Sequence, residues 1–230
     1  GGLEHSGAPP LLFCDRDVDC QTLLRRRSPD VRLESDIREL RKPPKADFLV
    51  GGWPCQDLSN AGTLRGLNGS RSGLFFEMLR VASDCKAHTF VAENVPNLLT
   101  INKGRDFQVA LDSLLSAGFP FVSWRTLNAR AFGLPQARRR LFLVASRDRD
   151  RALALHARTP PLDRDASVQS SVHGFYWTGG TRSICYSRGF VPALKIGSTD
   201  NKGRSPVAVL IDNHIRKLTP LEYLGLQGFK

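Results

Sequence analysis

Sulfur and the larger aromatics are sparse in this chain: its 230 residues hold one Met, three Trp, three Tyr and five Cys. The cysteines stand at positions 14, 20, 55, 85 and 185, with no C-x-x-C pair and no Cys/His spacing of a zinc site. That pattern excludes a zinc framework and a dithiol redox motif, and no metal is expected. An odd number of scattered cysteines is what reduced thiols in an intracellular protein look like. The expected location is the cytoplasm or nucleoid of a prokaryote or virus, or the nucleus of a eukaryote. No run of 18 apolar residues occurs, so no membrane-spanning helix is expected, and neither a signal peptide nor an internal repeat is visible. Acid is the other shortage. Twenty-two Asp and Glu face 33 Lys and Arg, giving a net charge of +11 and a pI near 10.0. An excess of that size points to a polyanionic partner, nucleic acid before an anionic membrane surface. The 41% hydrophobic content is ordinary, and the length suits one sizeable core with a small appended lobe.

What is present begins with Phe48 to Ser59, FLVGGWPCQDLS. An apolar run meets Gly51-Gly52 and turns through Trp53-Pro54 to present Cys55, as a buried strand does when it ends in a loop. On these residues alone Cys55 is either a reactive thiol or one of the many cysteines that serve as small buried hydrophobes. Around it, strands are predicted over Leu11–Cys14, Val31–Leu33, Thr89–Ala92, Phe121–Leu127 and Leu141–Ala145. Helices are predicted over Val18–Arg27, Leu74–Lys86 and Phe107–Leu115, the last stopped by Gly118 as a C-terminal cap. Ser59 to Ser72, rich in Gly, Ser and Asn, is expected to be a long mobile loop. Alternating strands and helices predict an α/β fold with a mainly parallel sheet, whose last strand pair is open to an antiparallel hairpin. From Ser146 the composition changes: Arg147–Arg164 is basic and contains Pro, and Ser167–Gly203 is rich in Gly, Ser and Thr with little periodicity. Thr219-Pro220-Leu221-Glu222 then announces a helix with a capping box.

Asp15, Asp36, Cys55 and Glu93 each follow shortly after a predicted strand. In an open parallel sheet the carboxyl ends of the strands border one crevice, so residues far apart in sequence are expected to meet there. A thiolate at Cys55 is a nucleophile, and a carboxyl group at Glu93 gives or takes a proton beside it. Asp15 and Asp36 suit hydrogen bonds from ribose hydroxyls or an adenine amino group. Gly1-Gly2 allows close backbone approach, and the run Arg138-Arg139-Arg140 is either a solvated surface or an anion contact.

Five segments in order carry a resemblance: Gly52-Trp53-Pro54-Cys55-Gln56, Arg71-Ser72-Gly73-Leu74-Phe75, Glu93-Asn94-Val95, Gly133 to Arg140 (GLPQARRR), and Arg216-Lys217-Leu218-Thr219-Pro220 with Glu222. Together they resemble the ordered motifs of cytosine C5 DNA methyltransferases. The resemblance implies a Rossmann-like methyltransferase sheet with a small target recognition lobe. Its catalytic and cofactor-binding part would be 1–146, its recognition region 147–214, and 215–230 would return to the catalytic domain. It implies S-adenosylmethionine as cofactor. Asp15 would hold the ribose, Asp36 and Ile37 the adenine, while Pro54 and Leu74 line the pocket and Gly1 and Gly2 end the glycine-rich motif. Cys55 would be the nucleophile, Glu93 would engage the cytosine near N3, and Arg138 and Arg140 would face the flipped base. Gln136 and Asn128 would hold the shape of their loop. The implied reaction moves a methyl group to C5 of a flipped-out cytosine in double-stranded DNA through a covalent Cys55 adduct at C6, by a monomer with no membrane role.

Against the family pattern, the first strand ahead of Gly1 and the closing motif beyond Lys230 are missing. The chain is therefore expected to be truncated at both ends and to bind the cofactor weakly or not at all by itself. Three other outcomes stay open on the sequence: an RNA (transfer RNA) cytosine C5 methyltransferase on the same scaffold, an inactive nucleic-acid-binding homologue, and a nucleotide-binding domain with a structural Cys55. The target sequence, and a restriction-modification against an epigenetic role, are not legible in it.

Overall fold

Strand and helix boundaries follow the apolar pattern of the chain closely. The computed structural model describes residues 7–53, 73–157, 173–177, 184–194, 207–211 and 213–229. The chain runs β1 (Leu12–Cys14), α1 (Val18–Arg27), β2 (Arg32–Glu34), β3 (Phe48–Gly52), α2 (Leu74–Asp84), β4 (Thr89–Asn94), α3 (Arg105–Ser116), β5 (Phe121–Asn128), β6 (Gln136–Ala137), β7 (Arg139–Ser146) and α4 (Arg149–Ala157). It continues with β8 (His173–Trp177), β9 (Ile184–Arg188), β10 (Val191–Pro192), β11 (Ala208–Ile211), β12 (His214–Lys217) and α5 (Pro220–Leu226). Contacts divide it into two units, residues 1–125 with 141–157 and residues 126–140 with 158–230.

In the first unit β1 and β2 pair in parallel, Leu12 opposite Arg32. α1 starts where predicted because the Asp17 carboxylate accepts the Cys20 amide at 2.9 Å, and Arg25, Arg26 and Arg27 close its last turn, where the helix dipole favours cations. The main sheet has the order β3-β4-β7-β5. β3 and β4 are parallel from Phe48 opposite Thr89 to Gly52 opposite Glu93, whereas β7 runs antiparallel to β4. The mainly parallel sheet expected from the sequence is therefore a mixed one. A parallel neighbour needs a crossover segment, usually a helix, and only a 3-10 turn (Ala129–Phe132) and the short β6 separate β5 from β7.

The core of this unit forms because α2 and α3 each present one apolar face. Phe75, Met78, Leu79 and Ala82 on α2 and Phe107, Ala110 and Leu114 on α3 are buried, the spacing of amphipathic helices. A chain of rings crosses this core: Trp53 to Phe75 (4.8 Å between centroids), Phe75 to Phe90 (6.2 Å), Phe90 to Phe119 (6.1 Å). α3 ends as predicted at Gly118, with φ +85°; the Gly118 amide bonds Leu115 O and the Phe119 amide bonds Leu114 O, the paired bonds of a Schellman motif. α4 was not expected from its basic, Pro-containing surroundings. Its start is fixed by Asp148, whose carboxylate accepts the amides of Asp150 and Arg151 at 2.8 and 3.1 Å.

The second unit holds an antiparallel sheet of order β12-β11-β8-β9 and a short parallel pair, β6 with β10. Its strands β8 and β9 lie in the stretch whose composition showed little periodicity. A separate small core forms around Val191, Val207 and Val209, with Leu194, Ile211, Leu218 and Leu226 against it. α5 carries the predicted capping box: Thr219 Oγ1 accepts the Glu222 amide and the Glu222 carboxylate accepts the Thr219 amide. The predicted loop Ser59–Ser72 lies outside the described residues.

The Arg216 guanidinium, with the Thr219 amide, holds the Glu222 carboxyl down at about 2, against an ordinary value of 4.5. A carboxyl depressed in the folded state contributes stability above its unfolded value and loses that contribution as pH falls through its folded value. Both partners are more than a third exposed (44% and 36%), so the pair is worth about 1 kcal/mol or less. In thermal unfolding, Glu222→Gln should lower the midpoint at pH 7, and the difference from the parent should shrink as pH falls from 4.5 toward 2. An undiminished difference at the acid end would refute the assignment.

Candidate active site

Glu93 is the penultimate residue of β4, and its backbone partner across the parallel ladder is Gly52, the last residue of β3. Parallel strands that start in register end in register, so the two meet at one carboxyl edge. Gly52 is there for space: a Cβ added to it would stand 3.1 Å from Glu93 O and 3.4 Å from Glu93 Oε2. Just beyond, the buried Asn94 donates from Nδ2 to Trp53 O at 2.9 Å, while its Oδ1 accepts the Val95 amide at 2.8 Å. One side-chain amide thus ties the exit of β3 to the exit of β4. Trp53 is itself buried against Phe75, and its indole N–H has no acceptor among the described residues. A buried donor without a partner is uncommon and calls for an explanation. Cys55 follows Trp53 by two positions in the sequence; Cys55, Pro54, Gly1 and Gly2 all lie outside the described residues.

Asp15 and Asp36 follow β1 and β2. The Asp15 amide extends the β1–β2 pairing by one bond to Glu34 O at 3.1 Å, and its Oδ1 accepts the Asp17 amide at 2.9 Å. Asp36 Oδ1 accepts from the Arg38 amide (2.9 Å) and Nε (3.0 Å), and Oδ2 accepts from Arg38 Nη2 (3.0 Å). These bonds from Arg38 hold the Asp36 carboxyl below the usual range. Ile37 and Leu74 are both partly buried against the main core. The Ile37 position is fixed from α2: Arg80 donates to Ile37 O at 2.7 Å and to Leu40 O at 3.1 Å, while pairing with Glu77 and Asp84. Cys14 shares the neighbourhood of the two aspartates. Burial, and then the charges of Asp36, Glu34 and Asp15, push its thiol up. Burial also raises the thiols of Cys20 and Cys85, so none of these three has the lowered value of a reactive cysteine.

Arg138 and Arg140 belong to the second unit and are partly buried. Gln136, two residues earlier, is fully buried; its Nε2 donates to Leu226 O at 3.0 Å and its Oε1 accepts the Leu194 amide at 3.4 Å. Asn128 Oδ1 accepts the Arg130 amide at 3.4 Å, and Ala129 N donates to Arg138 O at 3.0 Å. Both amide side chains therefore shape the loop that carries the arginines. The structure gathers Glu93, Gly52 and Trp53 at one strand edge, and Asp15 and Asp36 around Cys14. Sequence reasoning gave no role to Asn94, Arg38 or Arg80. The sequence signal for Arg80 was the pair Glu77 and Asp84, three positions before and four after it on one helix. Asn94 carried no comparable signal.

These strands, with their carboxylates at the carboxyl ends and helices against the sheet, are a Rossmann-like α/β domain. The sequence model of the family described as C-5 cytosine-specific DNA methylase matches residues 1–174, and the chain belongs to that family. The type II methyltransferase M2.BsuMI of Bacillus subtilis (strain 168) is 38% identical over 207 residues, covering 86% of this chain and 53% of that protein. The type II methyltransferase M.BanI of Aneurinibacillus aneurinilyticus is 40% identical over 111 residues, 48% of this chain and 26% of that protein. The chain thus spans about half of the first relative's length and about a quarter of the second's. Among solved structures, a mutant of DNMT2 from Spodoptera frugiperda shares 18% identity at a TM-score of 0.47, covering 63% of this chain and 45% of that one. No helix among the described residues is long and apolar enough to cross a membrane, and no group of His, Cys, Asp and Glu among them is placed to hold a metal ion.

The contact between Gly52 and Glu93 makes a direct prediction. Gly52→Ala would put a methyl group 3.1 Å from the Glu93 carbonyl oxygen and 3.4 Å from its carboxylate, so Glu93 would have to shift. We expect methylation activity to fall about 100-fold with the fold retained by circular dichroism. Activity within about 3-fold of the parent would show that Glu93 does not need that space.

Proposed function

We propose that the chain carries the catalytic part of a restriction-modification DNA (cytosine-5)-methyltransferase, which acts as an intracellular monomer on double-stranded DNA. The observation that supports this best is the buried bond from Asn94 to Trp53 O, because it holds the residue two positions before Cys55 in the sequence at the strand edge that carries Glu93. In this proposal Cys55 attacks C6 of a flipped-out cytosine as a thiolate, which breaks the ring's aromaticity and loads electron density onto C5. Glu93 stabilises that density by hydrogen bonding or proton transfer at N3 and the exocyclic amine. After C5 is methylated, loss of its proton lets the Cys55–C6 bond break and returns the thiol. Arg138 and Arg140 supply positive charge at the extruded base, and the basic surface contacts phosphates.

The residues present suit S-adenosylmethionine as the cofactor. When bound, it supplies an electrophilic methyl group. Asp15 offers a carboxylate for the ribose hydroxyls, Asp36 and the Ile37 backbone offer contacts for adenine, and Leu74 with Pro54 lines the pocket. Gly1-Gly2 allow close approach. The buried indole N–H of Trp53, which has no acceptor among the described residues, is a donor for a polar group arriving at this edge. In the functional division that goes with this, 1–146 binds the cofactor and performs the chemistry, 147–214 reads the target, and 215–230 returns to the catalytic part.

Duplex DNA carrying 5-fluorocytosine decides the matter, since fluorine at C5 cannot leave as a proton and the adduct accumulates. With S-adenosylmethionine present, the protein should form an adduct that survives denaturation, and Cys55→Ser should form none. Glu93→Gln should slow methylation about 100-fold or more while leaving duplex binding intact. No adduct from the parent protein, or an equal adduct from Cys55→Ser, would end the proposal. Adduct on transfer RNA but not on duplex DNA would move the substrate to RNA.

A further inference from the structure

The antiparallel sheet of the second unit has two unlike faces. Residues paired across an antiparallel ladder project to the same side, and neighbours along a strand project to opposite sides. One side carries Gly174, Ser187 and Val209. It is covered: Val209 is buried with Val191 and Val207, and a Cβ on Gly174 would stand 2.4 Å from Phe190 O. The other side carries Tyr186 opposite Phe175 and Arg188 opposite His173, with Lys217 and Ile215 on β12. On this side Tyr186 is 59% and Ile215 66% exposed, while Ala208 between Phe175 and Lys217 is buried and His173, Phe175 and Leu210 are half-buried.

Tyr186 is held upright there. Its ring stacks on His173 at 5.2 Å with 21° between planes, lies 5.4 Å from Phe175, and its hydroxyl is hydrogen-bonded to His173 Nδ1. Arg188 and Lys217 are exposed, and no Asp or Glu occurs among the described residues of β8, β9, β11 and β12. A large aromatic group fixed in place and exposed on a flat sheet, with cations nearby and no acid, matches a strand that offers both base faces and phosphates. Duplex DNA hides its base faces; a single strand exposes them, and stacking on aromatic side chains tolerates any base.

We infer that this face binds single-stranded DNA, with unpaired bases stacked against Tyr186 and Phe175 and phosphates paired with Arg188 and Lys217. It goes beyond methyl transfer, and its binding is read without turnover. Stacking contributes a tenfold effect or more per base in typical cases, and each phosphate contact adds to the salt dependence.

The test is fluorescence anisotropy of a labelled single-stranded DNA about 20 nucleotides long, titrated with the whole protein over a range of salt. Tyr186→Ala should weaken binding about 10-fold or more, and Tyr186→Phe, which keeps the ring, should stay within about 2-fold. The double variant Arg188→Gln, Lys217→Gln should flatten the slope of log affinity against log salt by about 1.4. Cys55→Ser should bind as the parent does, so a failed adduct experiment and a failed binding experiment are separate results. Circular dichroism confirms that each variant is folded; if Tyr186→Ala is not, the charge variant and Tyr186→Phe still decide. Unchanged affinity in Tyr186→Ala, or an unchanged salt slope in the charge variant, would overturn the inference. Self-association that Tyr186→Ala abolishes, with oligonucleotide binding unaltered, would make the face a contact between two copies and overturn it as well.

Discussion

The hydrogen bond from the Asn94 side chain to the Trp53 carbonyl is the constraint on which the candidate site depends. Up to Gly52 and Glu93 the two strands are held by their own ladder. Beyond that pair the backbone of β3 leaves the sheet, and its carbonyl would be a buried acceptor without a partner. Such a group costs about 1–3 kcal/mol, more than a satisfied bond gains. Asn94 supplies the missing donor and, through Oδ1, takes up the Val95 amide as well. The ends of β3 and β4 at Trp53 and Val95 are therefore tied by one buried amide.

The same device recurs wherever a functional loop leaves regular structure. The Asp36 loop has carbonyls at Ile37 and Leu40 that no strand can satisfy, and Arg80 reaches them from α2. In the second unit the buried Gln136 reaches Leu226 O and receives the Leu194 amide, so the segment before Arg138 cannot drift. In each case a side chain with several donors replaces the ladder where the ladder stops.

Charge is distributed to match. Desolvation pushes up the thiols of Cys14, Cys20 and Cys85, and neighbouring carboxylates add to it for the exposed Cys14 and Cys20. Asp36 is kept ionised by Arg38. The net charge of +11 leaves an excess of basic side chains over acidic ones across the chain.

Periodicity in the sequence determined a good deal. The helix over Val18–Arg27, the capped end of α3 at Gly118, the capping box at Thr219 and Glu222 and the strands at Phe48 and Thr89 are local features, fixed by side-chain spacing and by cap chemistry within a few residues. The strand pattern likewise placed Asp15 and Asp36 after strands, whereas Glu93, expected just after one, is the penultimate residue of β4. Tertiary structure decided what depends on partners distant in the chain. The reversal of β7 beside β4, the strands β8 and β9 in a stretch without clear alternation, and the reach of Arg80 across 43 residues to Ile37 are of this kind. Gly52 shows the division most plainly. Its sequence context marks only a turn, yet the structure shows that a side chain there would crowd Glu93, brought alongside by the parallel ladder: a Cβ would stand 3.1 Å from the Glu93 carbonyl oxygen.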